Sequence, residues 1–380
     1  MLRIVELREG SELERIRLAW QDLARHCGHD TPYVLPEFLL PWMRRLEGRD
    51  DCRFLAAWQD DTLVGLAPVV DRRVRRFGVT LLKLRGFPEA APTPPCDLLV
   101  RSGTGGVVEA FFARWKDDSA WDAIELPTVP AESSSVARLV ELARAAGFEA
   151  TCEAVLETYH LPILGTWQDY HATLSQKTRQ NLRRGMRYFE RAGSTRFASY
   201  PDDMTIVEAR QLVAQVVFRS WKEHEQGAGG WNAFLRDVLE EFERSANLRL
   251  RFLLVDNVAV AYLMEVNFLG CVYAIHNAYD LRFQPGNAGQ LMLCHALERA
   301  HREGFGRYDF TGNKDYLRRW SKATRTFRRT RIVRPAAAIR VKLRAYDWIH
   351  QRRAGNVLEG TDRDKERRKE ALRDGGGRDE

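Results

Sequence analysis

Residues 282–292 read RFQPGNAGQLM, with a proline, an asparagine and two glycines in a short span, followed by apolar residues at helical spacing. The stretch follows CVYAIHNAYD (271–280), which is apolar and aromatic in the manner of a strand, so a strand–turn–helix junction is expected. The first N–H groups of a helix have no intrahelical acceptor and lie at the positive end of its dipole, which suits a pyrophosphate. Gly286 and Gly289 are expected to allow positive φ and close approach, while Pro285 and Asn287 favour the turn itself. An ordinary strand-to-helix turn has the same look, so spacing alone leaves both readings open. A rival loop, SGTGG (102–106), has no basic cluster beside it and reads as a surface turn.

Charge points the same way. The segment 177–196 holds seven basic residues and one acidic residue, and 312–334 holds nine and one, in a chain of net charge +7. Basic surfaces of this kind suit an anionic partner such as a phosphate-bearing cofactor, a nucleotide sugar, RNA or a membrane face; a solvated helix face is the plain alternative. The aromatics are interspersed with apolar positions as in a core, and no DNA-binding motif is present. The six cysteines, Cys27, Cys52, Cys96, Cys152, Cys271 and Cys294, are scattered singly with no metal-ligand spacing, and are expected to be reduced and buried. No metal is expected. No run reaches the about 18 apolar residues of a spanning helix, and the first residues lack a signal-peptide core, so the chain reads as cytosolic.

The elements that must position these residues come in two similar sets. At 380 residues with 44% hydrophobic content, two domains are expected. CRFLAAWQDDTLVGLAPVV (52–70) reads as a hairpin, and LRLRFLLVDNVAVAYLMEVNF (248–268) repeats the design with Asp256-Asn257 at its turn. Downstream, the helix and strand of 107–130 match those of 290–312, so WDAIEL lines up with RYDFTG. The repeat implies two copies of one α/β unit, two mixed twisted sheets flanked by helices. The expected division is 1–150, 151–335 and 336–380. Between the copies, Thr166 is an N-cap candidate and LSQKTRQNLRRGMRYFERAG continues as a basic helix closed by Gly193; helices are also expected over 131–148, 204–224 and 231–244. Residues 336–355 form an amphipathic basic helix, expected to pack on the body, with a membrane surface as the alternative. The charged tail after it is expected to be disordered.

The strand, QPGNAG and helix resemble the acyl-CoA-binding motif of GNAT-type acyltransferases: Gln284 and Gly289 fit the ends of that pattern, and Asn287 stands where its first Gly is expected. With LSQKTRQNLRR (174–184) and YDFTGNKDYLRRW (308–320), the chain resembles over most of residues 1–330 the CelD-like acetyltransferases, associated with cellulose and exopolysaccharide genes and related to the FemABX peptidyltransferases. The family's Lys after the Tyr of the last motif is replaced here by Leu317. The resemblance implies a tandem GNAT fold, with a degenerate N-terminal copy and a C-terminal copy that binds acetyl-CoA or another acyl-CoA through Gln284, Gly286, Asn287, Ala288, Gly289 and Gln290.

The implied reaction takes a proton from an amine, attacks a thioester and reprotonates a thiolate. Base candidates are Glu265 on the hairpin's second strand, His276 on the strand before the loop and Asp309 on the strand after the helix; Tyr316 could protonate the thiolate. Each has a structural alternative as a core or paired residue. Lys177, Arg179, Arg183 and Arg184 are candidates for a nucleotide-sugar or lipid-linked diphosphate acceptor, or for the CoA 3′-phosphate. Three functions follow: N-acyl transfer to an amine such as an amino sugar or envelope precursor, FemABX-like aminoacyl transfer from aminoacyl-tRNA to a peptidoglycan precursor, or non-catalytic binding. QPGNAG favours the first. Acceptor, acyl chain length and oligomeric state are not encoded in these patterns.

Overall fold

A computed structural model describes residues 1–46, 51–76, 78–88, 95–220, 231–243 and 245–347. The first part of the chain runs β1 (Leu2–Leu7), α1 (Gly10–Arg15), α2 (Arg17–His26), α3 (Pro36–Leu46), β2 (Asp51–Cys52), β3 (Phe54–Gln59), β4 (Thr62–Ala67), β5 (Val70–Arg76), β6 (Val79–Gly86), β7 (Leu99–Val100), α4 (Val107–Lys116), β8 (Ala123–Pro130) and α5 (Ser134–Ala145). The second part runs β9 (Glu149–Pro162), α6 (Trp167–Thr173), α7 (Gln176–Ala192), β10 (Thr195–Tyr200), α8 (Ile206–Phe218), α9 (Trp231–Phe242), β11 (Leu248–Val255), β12 (Val258–Phe268), β13 (Cys271–Tyr279), α10 (Ala288–Arg302), β14 (Arg307–Asp309) and β15 (Thr324–Val333).

The expected α/β class and the repeat are both visible. The turns of the two predicted hairpins place Asp60, Asp256 and Asn257 at positive φ, which short polar side chains tolerate. Each half then closes a parallel strand pair around a helix: β6 with β8 across α4, and β13 with β14 across α10. Thr166 caps α6 by accepting the N–H of Asp169, and α7 ends at Gly193 as expected.

The sheets are divided differently from two self-contained copies. Strands β1-β3-β4-β7 form a small sheet, and one eleven-stranded sheet runs β10-β11-β12-β13-β14-β9-β15-β8-β6-β5-β2 through both halves. The joint is β9 and β15: β9 pairs with β14 at its end and with β15 along its length, and β15 pairs with β8 on its other side. Hydrophobic period cannot disclose such a pairing, because both strands are half exposed and rich in charge.

The two halves also differ at the parallel pair. In the first, a Cβ on Gly86 would lie 2.0 Å from the Glu125 carbonyl oxygen, so β6 and β8 are as close as backbones come. Beyond that contact the chain fills the gap itself, with the Cys96 N–H donating to Thr128 O at 3.0 Å. In the second half the corresponding gap is open.

Cys152 is exposed, and Cys52 and Cys294 are half-buried, so burial of all six cysteines does not hold; all six are free. Residues 337–347 are helical and pack Ile339, Leu343 and Tyr346 against Leu82, Leu84, Ala123 and Val333 of the body. Residues 221–224 of the expected helix 204–224 and the expected disordered tail lie outside the described residues. No helix among those described is long and apolar enough to cross a membrane.

Helix α7 docks on the turn at 281–286 through glycine. A Cβ on Gly185 would lie 2.6 Å from the Gly286 carbonyl oxygen, a backbone atom that cannot swing aside. Gly185→Ala would gain about 1 kcal/mol of helix propensity against an overpacking cost of about 1–3 kcal/mol. The variant is expected to unfold at lower temperature than wild type in a calorimetric scan; an unchanged or raised Tm would show that the contact is not tight.

Candidate active site

Strands β13 and β14 pair for three residues only, Cys271 with Arg307, Val272 with Tyr308 and Tyr273 with Asp309. They then part. The divergence opens a cavity of about 570 Å³, walled by Ala274, Asn277 and Tyr279 of β13 on one side and by Phe310, Tyr316 and Arg319 on the other. Its floor is the start of α10, with Gln284, Asn287, Ala288, Gly289 and Gln290.

Local sequence explains that floor. Asn287 is the N-cap of α10 at φ 57°, and its side chain caps no N–H group. The residue in the left-handed region is therefore Asn287 rather than Gly286 or Gly289, which corrects the expectation of positive φ at the glycines. Gly286 is required for another reason: a Cβ there would lie 2.5 Å from the Phe189 ring and 2.6 Å from that of Tyr188. A Cβ at Gly289 would meet nothing within 4 Å, so this position faces open space. Among the described residues the N–H groups of Ala288 and Gly289 have no protein acceptor, and they are the unpaired donors that a phosphate would use. Gln290 also braces the site, because its Oε1 accepts the Trp320 indole N–H at 3.0 Å and so ties the turn 315–319 to the helix start.

Strand β13 carries a bulge beside the cavity. Met264 pairs with His276 while Glu265 pairs with Ala274, so Ile275 is the extra residue. Past Tyr273 the β14-facing edge of β13 has no strand partner, and the Ala274 carbonyl accepts the Thr311 hydroxyl. Thr311 sits at φ 49°, an unfavourable region for a β-branched residue, and its N–H donates to Asp309 Oδ1 at 2.8 Å. One strained residue thus holds both the carboxylate and the strand edge.

The sequence-derived candidates fall on the two faces of this sheet. Tyr308 and Phe310 pack on the α10 side, which puts Asp309 on the opposite face, towards Asp30 and Tyr33 of the first half. Asp309 is 3% exposed, and burial pushes its carboxyl above the usual range against the opposing pull of Arg307 and Arg325. His276 is buried, with Nδ1 2.5 Å from the Tyr262 hydroxyl. Tyr316 is 40% exposed at the cavity wall, and burial of its ring side raises its phenol pKa, which keeps the proton on oxygen at neutral pH.

Glu265 has a different environment from the one expected of a base. It is fully buried, with Oε2 accepting from Arg251 Nε at 2.6 Å and Oε1 from the Tyr308 hydroxyl at 2.6 Å. Both oxygens are engaged, and the group anchors β14 to β12 across β13. The four basic residues of α7 do not act as one group either. The Arg179 guanidinium donates to the Ala172 and Leu174 carbonyls and so caps α6, whereas Lys177, Arg183 and Arg184 are exposed. Sequence reasoning missed Thr311 and the contribution of Asp30 and Tyr33. Thr311, like Arg319, lies within the quoted YDFTGNKDYLRRW, but its part in the site and the approach of Asp30 and Tyr33 depend on contacts between distant segments.

Residues 176–319 match the acetyltransferase (GNAT) domain family. That segment is similar to a GNAT acetyltransferase domain. Across the chain, solved structures of similar fold include FemX, at 11% identity and TM-score 0.58 over 86% of this chain and 96% of that one. Another is the C-terminal domain (DUF2156) of a putative lysylphosphatidylglycerol synthetase from Agrobacterium fabrum, at 9% identity and TM-score 0.54 over 89% and 96%. A conserved protein of unknown function from Bacteroides thetaiotaomicron aligns at 14% identity and TM-score 0.52 over 88% and 100%. At such identities the likeness is one of fold. No curated protein matches the sequence.

The anchor beneath the GNAT cleft makes a stability prediction. Tyr308→Phe removes one donor from a fully buried carboxylate, and an unsatisfied buried group of this kind costs about 1–3 kcal/mol or more. Urea unfolding of the variant is expected to show an unfolding free energy lower by that amount, with a correspondingly lower midpoint; an unchanged midpoint would mean that Glu265 does not depend on the phenol.

Proposed function

We propose that the protein is an acyl-CoA-dependent N-acyltransferase of the CelD-like type, moving an acyl group, acetyl in the simplest case, to the amine of an amino sugar or a related envelope or exopolysaccharide precursor. The observation that carries this reading is the cleft between β13 and β14, which opens onto the unpaired N–H groups of Ala288 and Gly289. An extended pantetheine chain could pair with the free edge of β13 as a strand does, with the pyrophosphate at the helix start.

In this reading the sheet separates donor from acceptor. The thioester enters from the α10 face. The amine comes from the face of Asp309 and His276, and the parting of the strands is where they meet. Asp309 takes the amine proton as the nitrogen attacks the carbonyl carbon. An N–H at the β13 bulge supports the oxyanion, the C–S bond breaks, and Tyr316 returns a proton to the thiolate. Pre-positioning of the two reactants supplies much of the rate. His276 is the second base candidate, reached through its contact with Tyr262. The exposed Lys177, Arg183 and Arg184 remain candidates for an anionic acceptor.

Isothermal titration with acetyl-CoA and longer acyl-CoAs tests the donor. Micromolar binding is expected, and Gly289→Glu, whose side chain has room to fold but sets a carboxylate at the phosphate position, is expected to abolish it. No binding of any acyl-CoA by the intact protein would sink the reading and turn attention to aminoacyl-tRNA.

A pH profile tests the base. Because the folded Asp309 carboxyl is raised by burial, it stays protonated above the pH at which an exposed aspartate of pKa about 4 ionises, and cannot then accept a proton. Activity as kcat/KM is expected to rise with pH along an acidic limb that lies above that range. Asp309→Asn is expected to lower kcat by about 10²–10⁴-fold and remove the limb; a limb that persists in the variant would assign the base elsewhere, with His276 next.

A further inference from the structure

The first half of the chain reaches the site of the second through the loop after α2. The Asp30 carboxylate on this loop meets two guanidinium groups, Arg307 of β14 at 2.5 Å and Arg325 of β15 at 2.9 Å. The Asp30 backbone carbonyl accepts the Tyr273 hydroxyl, which itself accepts from Arg307 at 2.8 Å. His29 fastens the loop on its other side, with Nε2 3.1 Å from the Leu98 carbonyl oxygen and Nδ1 3.4 Å from the buried Asp97 carboxylate. Asp30 is thus held from both directions, against the strand that carries Asp309.

Strand register shows why its charge matters. Tyr273 pairs with Asp309 and Asp309 with His160, while Arg325 pairs with Thr158, two residues from His160. Arg307 stands two residues before Asp309, so these side chains share the face opposite α10. Two cations beside a buried carboxylate would pair with it and make it a poor proton acceptor. Yet among the described residues Asp309 has no ion-pair partner: its Oδ1 accepts the Thr311 N–H, and both guanidinium groups turn to Asp30. Glu132 takes another nitrogen of Arg325, at 2.6 Å. The other titratable groups around Asp309 are uncharged near neutral pH. Burial keeps the protons on Tyr33, Tyr273 and Cys271, and burial together with the two arginines lowers the His160 imidazole.

We infer that Asp30 is a positioning residue for the transfer reaction: by holding Arg307 and Arg325 to itself, it leaves the Asp309 carboxylate unpaired to take the proton of the acceptor amine. The inference rests on the reading of Asp309 as the base. As the amine nitrogen bonds to the acyl carbon, its proton passes to Asp309, and the C–S bond breaks to leave the thiolate that Tyr316 protonates. Asp30 makes and breaks no bond; it sets how readily the proton is taken. Neutralising it would remove a negative neighbour and release two positive ones, and both changes make Asp309 easier to ionise.

The test reads Asp309 directly, by carbon-13 NMR of the full chain labelled at the aspartate carboxyl carbon, with the signal assigned by its loss in Asp309→Asn. Asp30→Asn is expected to lower the titration midpoint of Asp309 by about 1 pH unit or more. Arg325→Gln, which removes one cation, is expected to raise it, and the double variant to return it towards wild type. A role in folding alone would not produce opposite shifts that cancel. Circular dichroism checks each fold, and if Asp30→Asn does not fold, the double variant compared with Arg325→Gln reads the same charge. Acetyl transfer from acetyl-CoA to glucosamine, followed against pH, reads the consequence. In Asp30→Asn the acidic limb of kcat/KM is expected to move down with the midpoint, and kcat above it to fall by up to about tenfold, as for a weaker general base. Affinity for acetyl-CoA is expected to stay unchanged, because the donor lies on the α10 face. An Asp309 midpoint that does not respond to Asp30 would overturn the inference and leave Asp309 standing as the base. A midpoint that moves while the limb stays would overturn it through the reading beneath it, since the base would lie elsewhere. Lack of glucosamine acetylation by wild type would count against that same reading and remove this inference with it.

Discussion

The structure turns on how long β14 stays beside β13. Three residue pairs bring the strands together, and the network of Arg251, Glu265 and Tyr308 beneath them fixes β14 to β12 across the intervening strand. A buried ion pair of this type adds little net stability over apolar packing, but losing one member is costly, so it acts mainly as a locator. Because Tyr308 is held, Asp309 ends the paired region, and Phe310 begins the cavity wall one residue later. The bulge at Ile275 and the strained Thr311 lie on either side of the same divide.

The first half shows what happens without that opening. Its parallel pair is pressed to backbone contact at Gly86, and Cys96 takes up the edge of β8 that would otherwise be vacant. The same strand–helix–strand unit is therefore a cleft in one half and packed chain in the other. What the first half supplies instead lies on the far face of the sheet. The Asp30 carboxylate pairs with Arg307 and Arg325, and Tyr33 packs close to Asp309 and Thr311. This gives a physical reason for the two halves to share one sheet: the surroundings of the carboxylate on β14 come from both.

Helix α7 links the remaining parts. Its glycine at 185 and that at 286 let it sit against the turn before α10, and its apolar residues Leu182 and Phe189 enter the core beneath. The opposite, arginine-rich face is left exposed. Packing on one side and charge on the other follow from one amphipathic helix read at a period of 3.6 residues.

Much of this was legible from the chain alone. The hairpin with Asp256-Asn257 at its turn, the Thr166 cap, the end of α7 at Gly193 and the strand–turn–helix around QPGNAG are local matters of propensity and capping, which neighbouring residues determine. The repeat was legible too, because two copies of one unit leave the same pattern of hairpin, helix and strand. Sequence could also name Asp309, Glu265, His276 and Tyr316 as residues able to move protons. It could not separate them. Tertiary structure alone decided that Glu265 is held between Arg251 and Tyr308, that Asp309 looks to the face opposite α10 and Tyr316 to the cavity, and that Arg179 caps α6 while Arg191 is exposed. The reason is that a residue's chemistry depends on its burial and partners, and those are set by β9 and β15 joining strands far apart in the chain, a pairing that no local pattern encodes.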